Sequence, residues 1–127
     1  MVNKKAQDLI NKMQQSITDN GVNVEELVND LKELRTYAVT EEIPRLAKAI
    51  RLTYEHIEEY EGFFIPMPDD EMVDEEGEVI GVITASNEED AESLHYLLSI
   101  MSDAKNKMNH EELGEYNAAL KQYAEDN

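Results

Sequence analysis

The residues with the clearest chemical potential are carboxylates, which crowd the stretch EEYEGFFIPMPDDEMVDEEGE, residues 58–78. Ten carboxylates fall in this stretch, and it contains no Lys or Arg. Carboxylate oxygens can bind metal ions, transfer protons in catalysis, or pair with the basic side chains of another protein. The spacing of the residues, and the elements that hold them, decide between these chemistries.

Metal binding finds little support in the spacing. Dinuclear sites in helical bundles use Glu-x-x-His on each of two helices, whereas this sequence has that spacing once, from Glu92 to His95. An EF-hand loop needs Gly at position 6 and oxygen ligands at positions 1 and 12. Placing Gly77 at position 6 puts Met72 at position 1 and Ile83 at position 12. We therefore predict neither a metal site nor a cofactor.

Catalysis is equally weakly indicated. The sequence contains no nucleophile elbow, phosphate-binding loop or dinucleotide fingerprint, and it has no cysteine. Its three histidines, His56, His95 and His110, fall on three different predicted helices. Carboxylate pairs carry no signal, because 29 acidic residues produce them at any spacing by chance. We predict that the protein is not an enzyme.

The charge is very unevenly distributed along the chain. The formal net charge is −18, yet residues 1–57 contain eight basic and nine acidic residues, so nearly all of the excess lies in residues 58–127. No Lys or Arg occurs between Arg51 and Lys105, a window with sixteen acidic residues. Such a chain would be repelled by nucleic acid and by anionic membranes, so we predict that it binds neither directly. A basic protein surface is its natural counterpart.

Carboxylates at these spacings can imitate a row of phosphates. In an extended strand, Asp74, Glu76 and Glu78 would project about 6.8 Å apart on one face. Helical pairs four residues apart, such as Glu55 and Glu59, lie about 6 Å apart. Rows of this kind would compete for the Lys and Arg clusters that hold phosphates. We therefore predict an acidic protein that occupies the basic surface of a nucleic-acid-binding protein, as a nucleic-acid mimic or an immunity-type inhibitor.

The predicted contact surface combines the carboxylates around residues 58–92 with the apolar segment FFIPM. Its members are Glu58, Glu59, Glu61, Phe63, Phe64, Ile65, Met67, Asp69, Asp70, Glu71, Asp74, Glu75, Glu76, Glu78, Glu88, Glu89, Asp90 and Glu92. The alternative hypothesis is a helical adaptor or assembly module that docks through the apolar patch around Phe63–Met67, with its acidic face merely solvated. Homo-oligomerisation stays open. Because like charges on one surface repel, we expect added salt, or acidification to about pH 5, to raise the melting temperature.

The elements that must hold these residues are mostly helices. Apolar residues recur every three or four positions in five segments, three of them before residue 60 and two after residue 86. The boundaries are predicted from capping residues and helix stops, namely Gly21 after a first helix over 3–20, Asn23, Thr40, Ser86 and Asn109.

Between the third and fourth helices the helical period fails. FFIPM (63–67) and EVIGVIT (78–84) are short and rich in β-branched or aromatic residues, which predicts a small β-hairpin with an acidic loop at 68–78. The predicted fold is thus mainly α, a bundle of about five helices with this hairpin inserted. We expect one domain over 1–127, with a three-helix unit (1–60), the hairpin (61–85) and two C-terminal helices (86–127). The lack of cysteine and of a long apolar stretch predicts a cytoplasmic protein.

Overall fold

The fold is mainly helical, as predicted. A computed structural model of the chain describes residues 3–66, 72–73, 79–81 and 90–126. Five helices account for most of them: α1 (Lys4–Asn20), α2 (Val24–Thr40), α3 (Pro44–Tyr60), α4 (Ala91–Ser102) and α5 (Lys107–Asp126).

The boundaries of α1 and the start of α2 follow the sequence signals. The Asn3 side chain accepts hydrogen bonds from the backbone N–H groups of the first turn of α1. Gly21 ends that helix with φ of 73°, a left-handed value that glycine adopts without steric cost. The Asn23 side chain then accepts from the N–H of Glu26 at 3.1 Å and caps α2. Two of the predicted boundary residues, Gly21 and Asn23, are therefore confirmed.

Three other boundaries differ from the prediction. Thr40 is not a cap, because α2 continues through it and α3 begins only at Pro44. Helix α4 begins at Ala91, where Asp90 accepts from the N–H of Ser93 at 2.9 Å, and the predicted cap Ser86 lies outside the described residues. Helix α5 begins before Asn109, since the side chain of Asn106 accepts from the N–H groups of Met108 and Asn109. In each case a different residue marks the start of the helix: Pro44 for α3, Asp90 for α4 and Asn106 for α5.

The helix directions follow from short connections and from side-chain contacts. Helices α1, α2 and α3 are joined by three-residue connections, 21–23 and 41–43, and successive helices pack together in antiparallel fashion. Gln7, near the start of α1, donates to the carbonyl of Ser102 at the end of α4. Gln14 donates to the hydroxyl of Ser99, one turn earlier in α4. Helix α4 is therefore antiparallel to α1.

Helices α3 and α5 run in the same direction. Arg45 at the start of α3 donates from Nη1 to the carbonyl of His110 at the start of α5, across 3.1 Å. At the other end, the rings of Tyr60 and Tyr123 pack edge to face with centroids 4.7 Å apart. It follows that α1, α3 and α5 point one way and α2 and α4 the other.

The core lies along the inner faces of all five helices. One pair of buried polar groups in it is satisfied internally: the hydroxyl of Tyr116 on α5 lies 2.9 Å from the hydroxyl of Ser93 on α4 and donates to the Ser93 carbonyl at 3.1 Å. The largest fully buried apolar side chains are Ile10, Met13, Leu27, Leu31, Leu34, Leu46, Ile50, Ile57, Phe63, Ile65 and Leu94. Apolar residues of every helix thus contribute to one continuous core.

The predicted hairpin differs from the structure in its first arm. Residues 63–66 of FFIPM have no strand structure, so this arm of the prediction is wrong for the part of the chain that the structure describes. Two very short strands, β1 (Met72–Val73) and β2 (Val79–Gly81), pair in antiparallel fashion with an irregular register. The predicted acidic loop at 68–78 lies mostly outside the described residues.

Candidate functional site: the acidic end of the bundle

The alternation of helix directions brings carboxylates together at one end of the bundle. At this end lie the last turns of α1, α3 and α5 and the first turns of α2 and α4, residues 17–26, 57–61, 90–94 and 123–126. We call these residues the acidic end, because they include ten carboxylates and no Lys or Arg. The ten are Asp19, Glu25, Glu26, Glu58, Glu59, Glu61, Asp90, Glu92, Glu125 and Asp126.

The opposite end carries the reverse balance. The helix ends and connections on this side contain five basic residues and three acidic ones, within residues 3–7, 37–47 and 99–110. The described bundle is therefore electrostatically polar along its axis. The electric field of these charges would steer an approaching basic molecule toward the acidic end.

A groove opens at the acidic end between the final turns of α3 and α5. Its volume is about 620 Å³, within the range of ligand-sized clefts. Apolar groups of Leu52, Tyr60 and Leu120 form part of its lining, and four glutamates surround them against one lysine. The charged residues that line the groove are Glu55, Glu58, Glu59, Glu125 and Lys121.

Two of the groove glutamates have basic partners on the surface. Lys32 Nζ lies 3.5 Å from Glu58 Oε2, and Arg51 Nη1 lies 3.4 Å from Glu55 Oε1 one turn away on α3. All four side chains are substantially exposed, so each pair contributes less than about 1 kcal/mol to stability. These bonds can be exchanged at little cost for bonds to a basic partner.

His56 contributes no positive charge to this groove at neutral pH. Its ring is buried, and desolvation lowers its pKa from the usual 6.5 to about 4. The ring packs against Tyr60 and Tyr123 with centroid distances of 5.0 and 4.8 Å. Its Nε2 accepts a hydrogen bond from the backbone N–H of Phe64. The histidine therefore acts as a neutral structural group that fixes the chain after α3.

The predicted apolar contact residues largely belong to the core. Phe63 and Ile65 have no exposed surface, and the carbonyl of Phe63 accepts from the N–H of Asp90 at 2.7 Å. Phe64 is half-buried and stacks on Tyr123 with the two rings 9° from parallel. Phe63 and Ile65 are thus unavailable to a partner. Sequence reasoning failed here because a short aromatic run in a core connection resembles an exposed docking motif.

The predicted carboxylates divide into those brought together and those outside the described residues. Glu58, Glu59, Glu61 and Glu92 are exposed at the acidic end, and Asp90 is half-buried there as the cap of α4. The remaining predicted residues, Met67, Asp69, Asp70, Glu71, Asp74, Glu75, Glu76, Glu78, Glu88 and Glu89, lie outside the described residues.

Five members of the acidic end were missed by the sequence analysis: Asp19, Glu25, Glu26, Glu125 and Asp126. They are far from residues 58–92 in the chain, so a search for a local charge run passes over them. The available signal was the up-and-down order of the helices, since it places the end of α1 and the start of α2 beside the end of α3.

Other site chemistries find no support among the described residues. No group of three or more His, Asp or Glu side chains within them is arranged to hold a metal ion. None of the described helices has the length and apolar character that a membrane span requires.

Comparison with known proteins gives no family. No protein-family model matches the chain, and searches of curated proteins and of solved structures found no significant match. The geometry of the acidic end must therefore carry the functional argument alone.

Proposed function

We propose that this chain is a non-enzymatic acidic binding protein whose acidic end occupies the basic surface of a nucleic-acid-binding protein, as a nucleic-acid mimic or an immunity-type inhibitor. The observation that carries the proposal is the convergence of ten carboxylates from five helices at one end of the bundle, where Glu58 is the one member with an ion pair among the described residues. Rigid helices hold these charges in place, so a partner does not have to order them on binding.

The groove between α3 and α5 supplies the geometry for recognition. Glu55 and Glu59 are four residues apart on one face of α3, a separation of about 6 Å that is close to that of successive phosphates. The apolar lining from Leu52 and Leu120 gives the alkyl stems of Lys or Arg a surface to pack on. The carboxylates of the predicted loop at 68–78 belong to the same proposal and lie outside the described residues. A cytoplasmic location belongs to the same proposal and is favoured by the cysteine-free composition.

The alternative function, an adaptor docked by apolar contacts, depends on fewer residues than the sequence suggested. Phe63 and Ile65 lie in the core, which leaves half-buried Phe64 and the apolar lining of the groove. The two functions differ in salt dependence, because ion pairs weaken as salt rises whereas apolar contacts do not.

The test is a binding experiment with matched charge variants. The protein is used to capture partners from a nuclease-treated lysate, and the dissociation constant of the isolated complex is measured at several salt concentrations. Glu58→Gln/Glu59→Gln/Glu125→Gln removes three charges from the groove. Glu33→Gln/Glu42→Gln/Glu111→Gln removes three exposed charges elsewhere and serves as the control.

We expect affinity to fall steeply with salt, the groove variant to bind at least about tenfold more weakly than the control, and nucleic acid to compete with the protein for its partner. Binding that is indifferent to salt, with equal affinity for both variants, would instead establish the apolar adaptor.

A further inference from the structure

A second groove, between the first half of α3 and the middle of α5, has the opposite charge. Its volume is about 420 Å³, and three basic side chains line it, Arg45, Lys48 and Lys121. No carboxylate of the described residues lines it. The whole chain has only eleven basic residues against 29 acidic ones, so three of the eleven in one small cleft is an unusual concentration. We call it the cationic groove.

Arg45 is held in the cationic groove by the fold. Its Nη1 donates to the carbonyl of His110, and its guanidinium lies directly over Gly114 in the interior of α5. A Cβ at position 114 would come within 3.1 Å of Nη1. Glycine inside a helix costs about 1 kcal/mol relative to alanine, and the missing Cβ lets the guanidinium lie close against α5. The remaining N–H groups of the guanidinium have no hydrogen-bond partner among the described residues and could donate to a ligand.

Lys48 and Lys121 approach each other across the groove from different helices. The pKa of Lys48 is lowered, first by the direct side-chain contact with Lys121 and then by charge repulsion from it. Neither lysine, nor Arg45, forms an ion pair with a carboxylate of the described residues. Lys48 and Lys121 therefore repel each other, and an anion bound in the groove would reduce that repulsion.

We propose that Arg45, Lys48 and Lys121 form a binding site for a phosphate group, carried by inorganic phosphate or by a small phosphate monoester. Two ammonium groups and a guanidinium match the two negative charges and the several acceptor oxygens of phosphate. The groove has the volume of a small-molecule site, and the acidic end of the bundle would repel an extended polyanion. The proposal is separate from the proposed function because it concerns a ligand of opposite charge; the two grooves share Lys121, whereas Arg45 and Lys48 line only the cationic groove.

The experiment is a titration of the full chain with inorganic phosphate at pH 7.5 and constant ionic strength, followed by NMR of the backbone amides. We expect saturable shifts centred on residues 45–48 and 114–121. The variant Lys48→Gln/Lys121→Gln should bind phosphate at least about tenfold more weakly. The control Lys5→Gln/Lys105→Gln, which removes two exposed lysines from the end of the bundle opposite the acidic end, should bind as wild type does.

A parallel titration with glycerol phosphate distinguishes the two sources of the phosphate group. Tighter binding than inorganic phosphate identifies a monoester as the ligand class, and equal or weaker binding identifies free phosphate. Thermal melting of each variant without phosphate verifies folding. Non-saturable shifts, or an equal loss of affinity in the Lys5/Lys105 control, would overturn the proposal.

Discussion

The backbone N–H of Phe64 donates a hydrogen bond to Nε2 of His56 across 3.1 Å, and this bond fastens the chain after α3 to the buried face of that helix. Because Nε2 accepts, the neutral ring carries its proton on Nδ1, which has no hydrogen-bond partner among the described residues. Protonation of Nε2 would remove the acceptor and place a charge among the rings of Tyr60, Phe63 and Tyr123. The bond is therefore compatible only with the neutral imidazole.

Stability should consequently fall as the solution is acidified. The pKa of His56 is about 4 in the folded chain and about 6.5 in the unfolded chain, so protons bind preferentially to the unfolded chain. The stability due to neutral His56 is complete above pH 6.5 and is lost as pH falls toward 4. Between pH 7 and pH 5 we expect the free energy of unfolding to drop by about 2 kcal/mol, measured by urea denaturation at constant ionic strength.

This result would reverse the expectation, drawn from charge alone, that acidification to pH 5 raises the melting temperature. At pH 5 the solution is already well below the unfolded-state pKa of His56, so its protonation favours the unfolded chain. The variant His56→Gln should be less stable at pH 7 but much less sensitive to pH. His95→Gln, which leaves His56 in place, should retain the wild-type slope. A slope unchanged in His56→Gln would show that another group controls the acid response.

Phe63 and Phe64 are adjacent in sequence but should differ greatly in their contribution to stability. Phe63 is fully buried, and its replacement by alanine is expected to cost about 3 to 5 kcal/mol. Phe64 is half-buried, so Phe64→Ala should cost roughly 1 kcal/mol through lost contact with Tyr123. Chemical denaturation of both variants measures the difference. Equally small losses would mean that FFIPM is a surface segment, as the sequence suggested.

The caps of α2 and α3 allow a paired test of the helix boundaries. Asn23→Ala removes the side chain that accepts from the N–H of Glu26 and should cost about 1 kcal/mol. Thr40 lies in the last turn of α2, where its hydroxyl donates to the carbonyl of Thr36. Thr40→Ala should therefore change stability by less than about 0.5 kcal/mol. A larger loss for Thr40→Ala than for Asn23→Ala would restore Thr40 as the cap of α3.

Glu61 sits in a backbone conformation that favours glycine. It ends α3 with φ of 57° and ψ of 36°, a left-handed conformation that costs an L-residue with a side chain about 1 kcal/mol. Glu61→Gly is expected to raise the free energy of unfolding by roughly 0.5 to 1 kcal/mol, measured by thermal and chemical denaturation. Glu59→Gly, inside the same helix, removes the same charge and should lower it by about 1 kcal/mol. Effects of equal sign would show that charge removal, rather than backbone conformation, dominates.

The helical framework was predictable because it depends on local sequence. Apolar residues at intervals of three and four define each buried face, as Ile10, Met13 and Ile17 do in α1. Asn23 marks a helix start because its side chain accepts a hydrogen bond from a free backbone N–H of the first turn. Gly21 marks a helix end because it has no Cβ and adopts the left-handed φ that ends the helix. The boundary at Thr40 was mispredicted because a residue type that often caps helices can also lie inside one, as Thr40 does at the end of α2. Helix α3 instead begins at Pro44, which starts the helix without a side-chain cap.

The composition and order of the amino acids by themselves determined a strongly acidic, mainly helical protein with its charge excess after residue 57. Only the tertiary structure decided which charges meet. Asp19 and Glu125 are more than one hundred residues apart in the chain, yet antiparallel packing of successive helices places them at the same end. Likewise, the burial of His56 depends on Tyr123, which is distant in sequence, because desolvation is a property of neighbours in space and not of neighbours along the chain.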